Sequence, residues 1–310
     1  MPDIRKALTV TSAGVLTQPE IDKEVVDMIE YKNPLRQNLP RRPGSGLAWI
    51  VNRRTPSAAT PPAFIDDLDD VPMGEGAYTQ VSFTYKTLGA GGKVSRRLQA
   101  AGKTYIDILA EEIEDRADEW RRAEEKAVLW GDTSVNAKEF DGLYRLTPTQ
   151  NLMGTVGTTT GGGPLTLALL DEAIDLCDGK PNMLVMSSRT LRRVKAILIA
   201  NQRFIGPGIE VQGGMVLPSY NEIPIYVSDQ IMDTMTWNGQ TKVIGLTGGT
   251  LSAIFVVTAD ARSTFIGELT PITFKQVDSG TVQYDKFEIV GDETLVVRRP
   301  TDNSILAGIW

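Results

Sequence analysis

The chain has 310 residues, 41% hydrophobic and 23% charged, an ordinary globular composition with length enough for one large domain or two. A formal net charge of −7 argues against a dedicated nucleic-acid binder, whose footprint is a basic patch. No histidine occurs, which excludes Ser-His-Asp and Cys-His nucleophiles, histidine general bases and histidine-ligated zinc.

Residues 1–45 carry too little apolar pattern for a core of their own. TQPEIDKEVVDMIEYKN predicts one amphipathic helix, with Thr17 as cap, Pro19 in the first turn and Ile21, Val25, Met28 and Ile29 on one face. NPLRQNLPRRPGSG then runs proline-rich and extended. Such an arm must lie on something else. Two strands are predicted next, GLAWIVNRR (46–54) and AYTQVSFTYKTLG (77–89), the second alternating with Val81, Phe83 and Tyr85 on one face. Their connection, TPSAATPPAFIDDLDDVPMGEG, is far longer than the usual hairpin loop of about 2–5 residues, so a neighbouring subunit is its expected support.

From Lys103 to Trp130 the pattern is helical. Ile106, Ile113, Trp120 and Ala127 recur at every seventh position, with Leu109, Ala110, Ala117 and Ala123 on the same side and charge nearly everywhere else. That helix would be roughly 40 Å long, and its narrow stripe calls for a sheet or one close neighbour. WGDTSVNAKEFDGLYRL ends it and leads into a short strand. After GTVGTTTGGG come a helix (165–178), a buried strand MLVMS (183–187) and a helix (188–201), an α/β order. A Gly/Pro-rich loop (206–221) precedes the strands IPIYVS, KVIGLTGG and AIFVVT. Thr264 to Arg299 reads as strand, broken at VDSG and IVGDE.

Gly102, Lys103 and Thr104 stand at the head of the long helix like the end of a phosphate-binding loop. The full spacing G-x-x-x-x-G-K-[ST] needs glycine where Arg97 stands, and KVSRRLQAA is not the apolar strand that feeds such a loop. The three residues read as helix entry; an NTPase using them is the rival from the enzyme class. GAGG (89–92) and GTTTGGG (157–163) lack the dinucleotide fingerprint and read as flexible connections. The run Asp66, Asp67, Asp69, Asp70 lacks the glycine and distal glutamate of a calcium loop. It is a solvated tip or a contact to arginines of another subunit.

Six Arg-Arg pairs occur, and arginine suits interface ion pairs because its planar fork grips carboxylates in bidentate fashion. The candidate inter-subunit residues are therefore Arg41, Arg42, Arg53 and Arg54 with the four aspartates. Asp141 and the glutamates of the long helix converge with no partner, and a solvated helix face accounts for the glutamates. No catalytic, metal-ligating or cofactor-binding residue is assigned, and the chain is read as no enzyme. Cys177, in a helical run, reads as a small buried thiol; a lone cysteine permits no internal disulfide and fits a reducing compartment. MPDIRKALTV lacks the layout of a signal peptide, and no run approaches the roughly 18 apolar residues of a membrane span. Cytoplasmic manufacture and no membrane partner are expected.

In order, these pieces are an arm, a long two-stranded loop, a long charged helix, an α/β centre and long C-terminal strands. The order resembles the major capsid protein of tailed bacteriophages, an α+β chain with the Hong Kong 97-like fold. RADEWRRAEEKAVLWGDTSVNAKEFDGL resembles the end of that family's spine helix, MLVMSSRTLRRVKAIL its central strand and helix, YNEIPIYVSDQI the strand after it, and KVIGLTGGTLSAIFVV the strand re-entering the sheet.

The resemblance implies an N-terminal arm (1–45), an extended loop (46–92), a peripheral domain with the spine helix (93–150 and 264–300) and an axial domain (151–263 and 301–310). It implies self-assembly into hexamers and pentamers of an icosahedral shell, the virion capsid, around double-stranded DNA held by weak contact. Partners would be a portal, a decoration protein and a separate scaffolding protein or none, since the arm is too short for a fused scaffold. The lysine–asparagine crosslink of some members is not expected, because no lysine lies between Leu47 and Tyr85. An encapsulin, the nanocompartment shell of the same fold, is the nearest rival.

Overall fold

The computed structural model describes residues 33–55, 64–67, 70–102, 107–154, 163–200, 209–211, 215–231, 233, 251–277 and 283–309. The arm helix expected before Asn33, Lys103 to Ile106, most of GTVGTTTGGG and the strand KVIGLTGG lie outside these residues.

A short helix α1 (Leu35–Asn38) and strand β1 (Arg41–Pro43) precede a hairpin of β2 (Ala48–Thr55) and β3 (Ala77–Thr84). Strand β4 (Lys86–Ser95), helix α2 (Arg96–Gly102), the long helix α3 (Ile108–Trp130) and the short α4 (Leu143–Leu146) follow. The centre holds β5 (Leu152–Gly154), α5 (Leu167–Asp175), β6 (Met183–Met186), α6 (Ser188–Ala200), β7 (Ile209–Val211), β8 (Met215–Leu217), β9 (Ser219–Tyr220) and β10 (Ile223–Val227). Strands β11 (Ser252–Val257), β12 (Thr264–Val277), β13 (Tyr284–Val297) and β14 (Ser304–Ile309) close the chain.

Two sheets organise the molecule. The first has order β1-β12-β13-β4, with β1 parallel to β12 and the rest antiparallel. The second is mixed, β5-β14-β11-β6-β10-β9. Its inner strands are apolar on both faces, all of MLVM in β6 and all of SAIFVV in β11 being buried, because helices and the first sheet cover them on either side. Leu170, Val194, Ile225 and Ile254 pack together on the face covered by α5 and α6. On the other face Phe255 and Val185 join Val128, Leu129, Tyr144, Ile266 and Leu295, so the C-terminal end of α3 lies where the two sheets share a core.

Helix α3 spans 23 residues and starts at Ile108, capped by Asp107, whose Oδ1 accepts the Ala110 N–H at 3.3 Å. It begins later than the sequence pattern indicated, because Arg96–Gly102 form the separate helix α2. The stripe is as expected at Leu109, Ile113, Ala117 and Trp120, which pack on Leu88, Ala90, Phe287 and Ile289 of β4 and β13. Ala110 and Ala123 face solvent instead.

Three other expectations are corrected. GAGG (89–92) is the middle of β4, not a flexible connection. IVGDE does not interrupt β13, which runs unbroken to Val297. The residues after the long helix form α4, not a strand: Gly131 and Gly142 stack backbone on backbone, the Gly142 N–H donating to the Gly131 carbonyl at 2.8 Å, and Leu143 turns inward at once.

Candidate assembly surface

The segment 33–43, where the arm reaches the body, is clamped by charge as well as by Leu35 and Leu39, both buried. Arg36 Nη1 and Arg41 Nη2 each bond the carboxylate of Glu124 on α3, which is only 1% exposed. Arg41 Nη1 also meets Glu268 of β12 and lies 3.5 Å from Oε2 of Glu293 on β13. Burial disfavours the Arg41 charge, but Glu124 and Glu268 outweigh that and raise its pKa further. The guanidinium of Arg36 sits 5.2 Å from the centre of the Trp120 ring. Next along α3, Glu125 accepts from Ser228 Oγ and, at 3.3 Å, from the Leu35 N–H. Burial first and Glu124 second push the Glu125 pKa up to about 7. Burial, with Glu124 beside it, pushes Glu293 up to about 8.

The β2–β3 hairpin is fastened at its base. Val51 and Phe83 pack on Phe265 and Val296 of the first sheet. Arg42 lies 5.5 Å from the Trp49 ring centre and 5.2 Å from that of Phe265, and donates to the Ala261 carbonyl at 3.2 Å. Arg53 donates to the carbonyls of Arg298 at 2.9 Å and Val297 at 2.7 Å, and burial lowers its pKa. The ribbon and its loop expose large apolar groups: Leu47 and Ile50 near the base, then Tyr78, Phe64, Val71 and Met73 towards and in the loop, with Met73 86% exposed and Phe64 entirely so. A single subunit gives these side chains little cover, and a second protein surface is their natural one.

Comparison with known proteins accounts for a body carrying an arm and an apolar ribbon. The phage capsid family model matches residues 13–278. The chain belongs to the phage capsid family. Its structure is similar to the holo-SrpI encapsulin of Synechococcus elongatus PCC 7942, with TM-score 0.70 at 11% identity over 98% of this chain and 96% of that one. It is also similar to the capsid of a native GTA particle (TM-score 0.67, 17% identity, 99% and 100% covered) and to a Mycobacterium phage Bobi protein (0.67, 11%, 97% and 99%). No curated protein is detectably similar in sequence. The fold is Hong Kong 97-like, and the chain is a structural protein of the virion that builds a shell with copies of itself.

In this capsid protein the expected contact residues fall into two groups. Arg41, Arg42 and Arg53 are committed within the chain, fixing arm and hairpin to the body. Arg54, Asp66, Asp67 and Asp70 are exposed on the hairpin and its loop, while Asp69 lies outside the described residues. Asp141 accepts from the Thr133 N–H at 2.9 Å and from its hydroxyl at 2.8 Å, so it holds the turn after α3. Among the described residues no group of acidic or thiol side chains is arranged to hold a metal ion. No described helix is long and apolar enough to cross a membrane. Cys177 is buried, as its context predicted.

The sequence reading missed Glu124 and Glu125, assigned to a solvated face and found buried. The signal was present. Glu124 follows Trp120 by four positions and precedes Ala127 by three, so it stands on the apolar stripe itself.

Proposed function

We propose that this chain is a major capsid protein whose copies form the hexamers and pentamers of an icosahedral shell around double-stranded phage DNA, assembled in the host bacterial cytoplasm. The observation that carries this reading is the apolar ribbon around Phe64 and Met73, held rigidly at its base by Arg53 and Phe83 yet exposed beyond it. Arg54 and the loop aspartates give the same ribbon charged groups for a neighbouring copy. The net charge of −7 suits DNA retained by confinement more than by tight binding. The same reading gives the shell a portal, a decoration protein and a separate scaffolding protein or none.

The division that best fits the elements keeps the arm (1–45) and the extended loop (46–92) distinct. A peripheral domain then holds α3 with the β12–β13 sheet, and an axial domain holds the second sheet. The loop boundary falls inside β4, whose residues Lys86–Gly92 pair along β13 and go better with the peripheral domain.

The similarity to the SrpI encapsulin favours a second reading, a nanocompartment shell. Electron microscopy of the purified protein, alone and co-expressed with phage assembly factors, tests both. Shells that protect DNA support the capsid reading, and shells filled with a cargo protein support the other. A chain that stays monomeric under every condition overturns both.

A further inference from the structure

Four carboxyl groups and two guanidinium groups meet where the segment 33–43 docks. Glu124 and Glu125 come from α3, Glu268 from β12, Glu293 from β13, Arg36 from α1 and Arg41 from β1. Glu268 and Glu293 stand directly opposite each other in the β12–β13 ladder, an arrangement that is unfavourable when both are charged. On its other side Glu293 is cross-strand from Lys86, whose ammonium is turned to the Ala137 carbonyl at 2.7 Å. Glu293 is 3% exposed and its Oε1 has no hydrogen-bond partner. Asp229, exposed in the turn after Ser228, adds a further negative charge towards Glu125. Full ionisation would leave an excess of buried negative charge, which is costly. Two protons remove it.

We propose that this cluster is a pH-gated latch: the segment 33–43 stays docked while Glu125 and Glu293 are protonated and is released as they ionise. The segment lies directly on these carboxyls: the Leu35 N–H donates to Glu125 at 3.3 Å, and Arg41 Nη1 comes within 3.5 Å of Glu293. Undocking therefore gives the carboxylates water, whereas docking keeps them dry. Arg41 and Arg36 favour the ionised Glu293, but burial and Glu124 oppose it more strongly and hold its pKa at about 8.

The direction follows from linkage. Both carboxyls have docked-state pKa values above their ordinary 4.5, about 7 for Glu125 and about 8 for Glu293. As far as these two groups are concerned, the latch is fully closed below 4.5 and loosens as pH rises from there to about 7 for Glu125 and about 8 for Glu293, above which they add nothing more. Each proton released on undocking raises the opening constant about ten-fold per pH unit within that window.

Hydrogen–deuterium exchange on the purified, unassembled full chain tests this from about pH 5.5 to 9, with rates corrected for intrinsic pH dependence. Protection of peptides covering 33–43 is expected to fall with pH up to about 8 and then level off, while peptides of β11 keep theirs. Glu293→Gln and Glu125→Gln, which hold each site neutral, are each expected to flatten the fall. Protection flat across pH in the wild type overturns the latch, as does an unchanged slope in both variants. Should Glu293→Gln not fold, the wild-type profile and Glu125→Gln decide the matter. Because the chain is unassembled in this experiment, its outcome is independent of the shell reading.

Discussion

Trp120 on α3 donates its indole N–H to the backbone carbonyl of Leu88 on β4 at 3.0 Å. The same ring lies against Gly291 of β13, where a Cβ would stand 3.2 Å from its Cζ2, and above it sits the Arg36 guanidinium. One side chain thus ties together the helix, two strands and the segment leading in from the arm. Trp120→Ala is expected to destabilise the chain by about 3–5 kcal/mol, the usual range for deleting a buried large aromatic. Trp120→Phe keeps most of the packing but strips the Leu88 carbonyl of this donor, and should cost about 1–3 kcal/mol. Urea unfolding of the unassembled chain separates the two values. Equal losses would mean that the hydrogen bond carries the whole contact.

The turn that ends α3 is the second point where geometry dictates sequence. A Cβ on Gly131 would lie 2.2 Å from the Phe140 carbonyl oxygen, and one on Gly142 would lie 2.5 Å from that of Ala127. These obstacles are backbone, not flexible side-chain ends, so relief requires α3 and α4 to separate. Either glycine changed to alanine should cost at least the roughly 1–3 kcal/mol typical of overpacking. A thermal-shift measurement checks this, and an unchanged unfolding midpoint would show that the turn relaxes freely.

How much of this was legible beforehand depends on whether the signal was local. The stripe through Ile113 and Trp120 and the buried runs MLVM and SAIFVV were visible because periodicity and apolar runs are local properties. The glycines of β4 were not. Gly92 is small because a Cβ there would come 2.6 Å from Cζ of Phe287, a residue almost two hundred positions away. Gly291, within IVGDE, makes room for Trp120 in the same manner and so looked like a break. Arg41 and Arg42 read as contacts to another subunit because their partners within the chain, Glu124, Glu268, Trp49 and Phe265, come together only in the fold.

The Gly102-Lys103-Thr104 match yields a third prediction. A phosphate loop needs a strand, an irregular glycine-rich turn and then a helix, with backbone N–H groups turned inward. Here Ser95 ends β4 and the helix α2 begins at Arg96, so Arg97, where the first glycine should stand, is already helical. Lys103→Ala is therefore expected to leave assembly unchanged and to alter no nucleotide affinity. Titration with a fluorescent ATP analogue reads this directly. Binding that the substitution abolishes would restore the NTPase reading.

The last prediction concerns the ribbon, and it separates assembly from folding. Phe64 and Met73 bury almost nothing within their own subunit, so replacing both with serine removes little that holds the monomer together. The unfolding free energy of the unassembled chain should change by no more than about 0.5 kcal/mol, as for other exposed positions. Assembly should respond quite differently, because covering two large apolar side chains is worth roughly 1.5–3 kcal/mol each, and the shell repeats that gain at every subunit. The expected result is a folded subunit that fails to form shells, seen by sedimentation and electron microscopy. If the doubly substituted chain assembles at the wild-type yield, the apolar ribbon is not the assembly contact. If its folding is lost instead, the ribbon packs within its own subunit.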